Sequence, residues 1–170
     1  MRALKFFAGL ALAISAHILL VALAPGAARL VDPFLFLVAF HSMDGAVLAG
    51  VFAGAVSGLS EDALTGGLYG LHGFAATVVG YVMARAARVL TLQKSYYVAL
   101  YFASAVLVQQ LVLQALLLLL WQRPQLPSLA ELSLRVLVAG PLGSLLVISV
   151  ERLSESYRIW KARRPRVSLD

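Results

Sequence analysis

The 170-residue chain contains no cysteine, which excludes disulfides and thiolate metal sites and leaves the redox compartment unreadable. Charge is scarce as well: Asp, Glu, Lys and Arg make up only 13% of the residues. No polar stretch is long enough to fold as a soluble domain. Hydrophobic residues account for 61% of the chain and the mean hydropathy is +0.89, so the sequence reads as an all-α integral membrane protein forming one compact bundle. The net charge of +6 would suggest nucleic acid in a soluble protein. In a membrane protein it has a simpler origin, because Lys and Arg concentrate at the cytoplasmic ends of the helices.

Taken in order, Arg2 and Lys5 precede an uncharged run from Phe6 to Ala24. That run exceeds the roughly 7–15-residue core of a cleavable signal, and Pro25 follows its only small-residue cleavage pattern, so it is read as a retained first span. His17 inside it is read as a neutral histidine hydrogen-bonded within the bundle. Asp32-Pro33 predicts an N-cap with proline at the first helical position. The helix it starts is short, because His41-Ser42-Met43-Asp44 interrupts the apolar run. Eleven residues reach about 16 Å, against a hydrocarbon core of about 30 Å. Either the bilayer thins there or residues 33–59 form a hairpin that dips in and returns. A third, short helix is expected to end near Leu59, with Ser60 capping a separate turn that Gly66-Gly67 stops. Spans from about Leu71 to Leu90, Tyr96 to Trp121 and Leu132 to Val150 complete a six-helix bundle. Tyr96, Tyr97 and Tyr101 at one end of the fifth and Trp121 at the other read as aromatic belts. Gln109, Gln110 and Gln114 in its middle require interhelical hydrogen bonds. Gly140-Pro141 is expected to kink the last span, and Glu131 and Arg135 are spaced to pair.

Residues 1–156 are thus read as the transmembrane domain and 157–170 as a basic cytoplasmic tail. The tail carries Arg158, Lys161, Arg163, Arg164 and Arg166 with Tyr157 and Trp160 interleaved, which fits a helix on an anionic leaflet better than a nucleic-acid site. With both termini inside and an even number of crossings, only Arg29, Arg123 and Arg135 of the 14 Lys and Arg fall outside. A single long span over residues 33–59 would move the basic tail outside.

The most patterned stretch runs from Asp44 to Tyr81. Small residues recur every fourth position at Ala46, Gly50, Gly54 and Gly58, with a second row at Gly45, Ala49, Ala53 and Ser57. On a helix the two rows form one smooth face, the kind that lets membrane helices approach closely. The partner of that face, a neighbouring helix or another protein, is left open. If it is a protein interface, Gly54→Leu should weaken association with that partner. Ser57 and His72 do not have the spacing of a hydrolytic dyad. His41, Asp44, Asp62 and His72 match no metal-ligand motif, so neither metal nor cofactor is expected. Glu61 and Asp62 are read first as capping and turn-forming residues, then as partner contacts, and last as ligand-binding groups.

The run Gly58-Leu59-Ser60-Glu61-Asp62-Ala63-Leu64-Thr65-Gly66-Gly67-Leu68-Tyr69-Gly70-Leu71, continuing to Val79-Gly80-Tyr81, resembles the signature region of the rod shape-determining MreD family. Within it, Glu61, Asp62, Thr65, Gly66 and Gly70 match the family's acidic residue, Ser/Thr-Gly step and following glycine. The resemblance implies a non-enzymatic component of the cell-elongation complex in the bacterial inner membrane. It also implies binding to MreC, and through MreC to MreB, RodA and its transpeptidase, in support of peptidoglycan synthesis. Self-association stays open. The implied fold is similar to the substrate-binding S component of energy-coupling-factor transporters, with short second and third helices. The rival function is therefore a vitamin-binding uptake subunit, with Gly9, Ala13 and Ala16 facing a coupling protein. A vitamin pocket needs several convergent polar groups on the outer half of the bundle, and apart from the acidic turn and Trp121 few are evident in the sequence.

Overall fold

A computed structural model describes residues 2–66, 68–90, 95–120 and 128–162. Among them every regular element is a helix: α1 (Arg2–Leu23), α2 (Pro25–Ala28), α3 (Pro33–Ser42), α4 (Val47–Thr65), α5 (Leu71–Val89), α6 (Ser95–Leu119) and α7 (Leu129–Ala162). Segments of α1, α4, α6 and α7 are long and apolar enough to cross a membrane. The helix α2 is a single turn opened by Pro25 and was not anticipated. Trp121 and the proline loop that follows it lie outside the described residues, as does Gly67.

The short helix α3 is the centre of the bundle. Its Asp32 cap forms as expected, with Oδ1 accepting from the backbone N–H of Phe34 at 2.9 Å and Leu35 at 3.0 Å. Every residue from Phe34 to Ala39 is buried. A helix apolar on all sides is stable only when enclosed, and α3 packs against α1, α4, α5 and α6. Ten residues suffice because this helix faces protein on every side. Phe36, Val38 and Ala39 join Val79, Met83, Tyr101 and Phe102 in the main core, while Phe34 and Leu37 meet Phe6, Leu10, Ala13 and Ala53 in a second cluster.

The helix α4 corrects the sequence reading. It is not short and does not stop at Leu59: its 19 residues run unbroken through Ser60, Glu61 and Asp62, about 28 Å in length. Ser60 caps nothing. Its Oγ donates back to the Val56 carbonyl at 2.8 Å, and the Thr65 hydroxyl does the same to Glu61 at 3.0 Å, so both hydroxyls are satisfied inside the helix. The helix ends at Gly66, in the left-handed conformation (φ 65°) that glycine adopts without steric cost. At the other end, Gly45 and Ala46 precede the helix instead of belonging to its stripe. Gly45 turns the chain at φ 69°, Ala46 is extended, and the Gly45 carbonyl accepts from Arg88 Nε at 2.7 Å.

Tyr101 is another correction. It does not belong to an interfacial belt; it is fully buried, with its hydroxyl 3.2 Å from the carbonyls of Ala39 on α3 and Met83 on α5. Tyr96 is exposed. Tyr101→Phe is expected to cost about 1 kcal/mol, the net value of a hydrogen bond, seen as a lower unfolding midpoint of the purified protein. On α7, Gly140 and Gly143 lie against Ala99 and Phe102 of α6. The helix continues through exposed Pro141 and past the boundary expected at residue 156. The side chains of Arg158, Trp160 and Lys161 lie outside the described residues, as do Arg163 and Arg164 entirely.

Candidate functional site

The glycine row of α4 is consumed inside the bundle, and the second row is in part. A Cβ on Gly50 would lie 2.5 Å from the Gly80 carbonyl oxygen of α5, and one on Gly54 or Gly58 would collide with the backbone at Ala76 or His72. This row therefore lets the backbones of α4 and α5 touch, and their pairing is the most extensive among the described residues. In the second row, Ala53 is buried against α1 and α3 and Ser57 is buried, whereas Ala49 is exposed.

The same rows carry the acidic residues. Four residues beyond Gly58 is Asp62, and four beyond Ser57 is Glu61, so the helical repeat that brings the glycines to α5 brings the carboxylates there too. Asp62 is completely buried. Its Oδ2 accepts from the backbone N–H of Gly70 at 2.9 Å and Gly73 at 3.0 Å. Its Oδ1 accepts from the N–H of His72 at 3.1 Å and lies 2.9 Å from that residue's Nδ1. A carboxylate on one helix thus caps the N-terminus of the next. Otherwise-orphaned donors are satisfied and negative charge meets the positive end of the α5 dipole. Capping was expected of this residue, but of its own turn and not of a helix eight residues on.

Glu61 is placed differently. It is 8% exposed, its Oε1 is 3.8 Å from His72 Nε2, and its Oε2 has no hydrogen-bond partner. It lines a cavity of about 230 Å³ together with Arg29, Asp32, His72, Gln109 and Arg135. Gln109 donates to Asp32 Oδ2 at 2.9 Å, giving that amide the interhelical partner it requires. Arg135 pairs with Glu131 at 2.9 Å, while its buried Nε has no partner. His17 is on the wall, held against the Phe34 ring at 5.5 Å and not through a hydrogen bond among the described residues. The expectation of few polar groups at this end of the bundle is therefore overturned. They are scattered between residues 17 and 135 and converge only when the six longer helices pack. The local signal that was readable, and was missed, is the continuation of the four-residue spacing into Glu61 and Asp62.

The remaining candidates do not assemble. His41 stacks edge-on against Phe6 at 5.1 Å and follows α3 to the end opposite the cavity, with Asp44 beside it. Ser57 Oγ has no hydrogen-bond partner, and the polar partners of His72 are Asp62 and Glu61.

The site is built on a small-residue helix ending in a Glu-Asp pair and closed by glycines onto the next helix. The sequence model of the family described as rod shape-determining protein MreD matches residues 1–149, nearly the whole chain. The chain belongs to the MreD family. The match takes in α1 through most of α7 and includes the cavity and the Asp62 cap. Comparisons with curated proteins and with solved structures gave no match. Membership of a shape-determining family, together with the apolar helices, identifies a membrane protein concerned with rod shape.

Proposed function

We propose that this protein is a non-catalytic scaffold of the bacterial cell-elongation complex. It resides in the inner membrane with both termini cytoplasmic, and residues 157–170 form a basic tail on the inner leaflet. It binds MreC and through it supports MreB, RodA and the associated transpeptidase in peptidoglycan synthesis. The observation that carries this reading is the MreD match across residues 1–149. The charge distribution supports the orientation, since Lys5, Arg85 and Arg88 gather at one end of the bundle and only Arg29 and Arg135 of the described cations at the other. MreC does not meet the glycine row, because Gly50, Gly54 and Gly58 abut α5. A binding face would have to use outward residues such as Leu48, Phe52 and Phe74. The test is co-purification with MreC from membranes: the wild-type chain should retain it. Loss of MreC under mild detergent with the chain intact would refute the partner assignment.

A second reading, a vitamin-binding uptake subunit with an S-component fold, draws on the polar cavity. Its volume of about 230 Å³ is below the roughly 300–1,000 Å³ typical of small-molecule sites. The small residues of α1 also weigh against it. A Cβ on Gly9 would lie 2.7 Å from Leu37, and Ala13 is buried beside Phe34, so both face α3 and not a coupling protein.

A further inference from the structure

Glu61 Oε2 is an acceptor without a donor in a residue more than nine-tenths buried, and Arg135 Nε is a donor without an acceptor. Both line one cavity. Burying such groups unpaired costs about 1–3 kcal/mol each, more when charged, so a ligand supplying both missing partners would be held strongly. Its polar part must supply a hydrogen-bond donor to Glu61 and an acceptor to Arg135, whose charge already faces Glu131. At a liquid volume of about 30 Å³ per water the cavity of about 230 Å³ holds roughly eight waters, the scale of a small headgroup.

A second, apolar groove of about 510 Å³ meets this cavity at His17 and Thr65, which line both. It runs between α1 and α4, and Ile18, Val21 and Leu64 on its walls are 53%, 51% and 42% exposed. A polar chamber adjoining a hydrocarbon-lined groove matches a headgroup beside its acyl chain.

We propose that the α1–α4 groove and the Glu61–Arg135 cavity together bind one phospholipid whose headgroup carries a primary ammonium beside its phosphate. The ammonium donates to Glu61 Oε2, the phosphate accepts from Arg135 Nε, and an acyl chain lies along Ile18, Val21 and Leu64. Charge complementarity selects this lipid. Asp32 and Asp62 beside Glu61 make this corner of the site acidic, which favours an ammonium donor over the neutral hydroxyls of phosphatidylglycerol, and a choline headgroup offers no N–H. The assignment is independent of which proteins the chain assembles with.

Native mass spectrometry of the full chain, titrated with phosphatidylethanolamine, phosphatidylglycerol and acyl-free glycerophosphoethanolamine, tests it. Phosphatidylethanolamine should bind about tenfold more tightly than phosphatidylglycerol, and Glu61→Gln should remove that preference. Should Glu61→Gln fail to fold, Val21→Trp on the exposed groove wall carries the test, with phosphatidylethanolamine retention again falling about tenfold. Three results overturn the proposal: equal binding of the two lipids by the wild type, full retention in the folded variants, or acyl-free headgroup binding as tightly as the lipid. The last would make the cavity a site for a soluble zwitterion.

Discussion

Replacing Asp62 with alanine is expected to lower stability by roughly 3 kcal/mol or more, since each buried donor left without an acceptor costs about 1–3 kcal/mol. The reason is the number of donors that depend on this one carboxylate: the backbone N–H groups of Gly70, His72 and Gly73, and the His72 ring. Once the side chain is removed, all remain buried or half-buried with no acceptor, and the first turn of α5 frays. Asp62→Asn should fall between the two, because its amide oxygen keeps part of the acceptor set while the charge facing the helix dipole is lost. The check is the unfolding midpoint of each variant in one detergent, alongside its level in the membrane. Equal midpoints for alanine and wild type would show that the cap contributes nothing.

Gly54→Leu is expected to cost more than about 3 kcal/mol, beyond the usual range for overpacking, because the added atoms meet backbone instead of a side chain that can turn aside. A Cβ alone would overlap the Ala76 carbonyl, so even Gly54→Ala should be strongly destabilising. This changes what a lost MreC interaction in a Gly54 variant would mean: the bundle fails first, and the interaction goes with it. Ala49→Leu, at an exposed position of the second row, is the control. It should leave the midpoint within about 0.5 kcal/mol, the usual range for a surface substitution. A Gly54→Leu protein as stable as wild type would contradict the close approach of α4 and α5.

Some of this organisation was legible in the chain because its cause is local. The Asp32-Pro33 cap and the Glu131–Arg135 pair depend on residues at most four apart, and both appear as expected. That Gln109 must find a partner follows from burying an amide in hydrocarbon; that the partner is Asp32, 77 positions away, does not. The stripe on α4 was visible, but a smooth face does not name its partner. Only the seating of Gly50, Gly54 and Gly58 on the backbone from His72 to Gly80 shows that it is α5. Tyr101 was misplaced for a similar reason. An aromatic at a helix end fits the bilayer interface or the core equally well, and the deciding contacts with Ala39 and Met83 are made by other helices. The cavity was the least legible part, since no two of its charged residues form a sequence motif with one another.

Four of the charged and imidazole groups meeting at that cavity sit near helix termini: Asp32 before α3, Glu61 near the end of α4, His72 opening α5, and Arg135 in the second turn of α7. The α4–α5 hairpin holds two of them in place through the Asp62 cap. Loss of that cap is therefore expected to disturb the cavity along with the fold.

The central claim, that the chain acts in rod-shape determination, is tested most directly by expressing it in rod-shaped cells depleted of their own MreD and measuring cell width. Restored rods are predicted for the wild-type chain, with Asp62→Ala and Gly54→Leu failing in proportion to their loss of folded protein. Cells that stay round while the wild-type chain is present and folded in the membrane would contradict the claim.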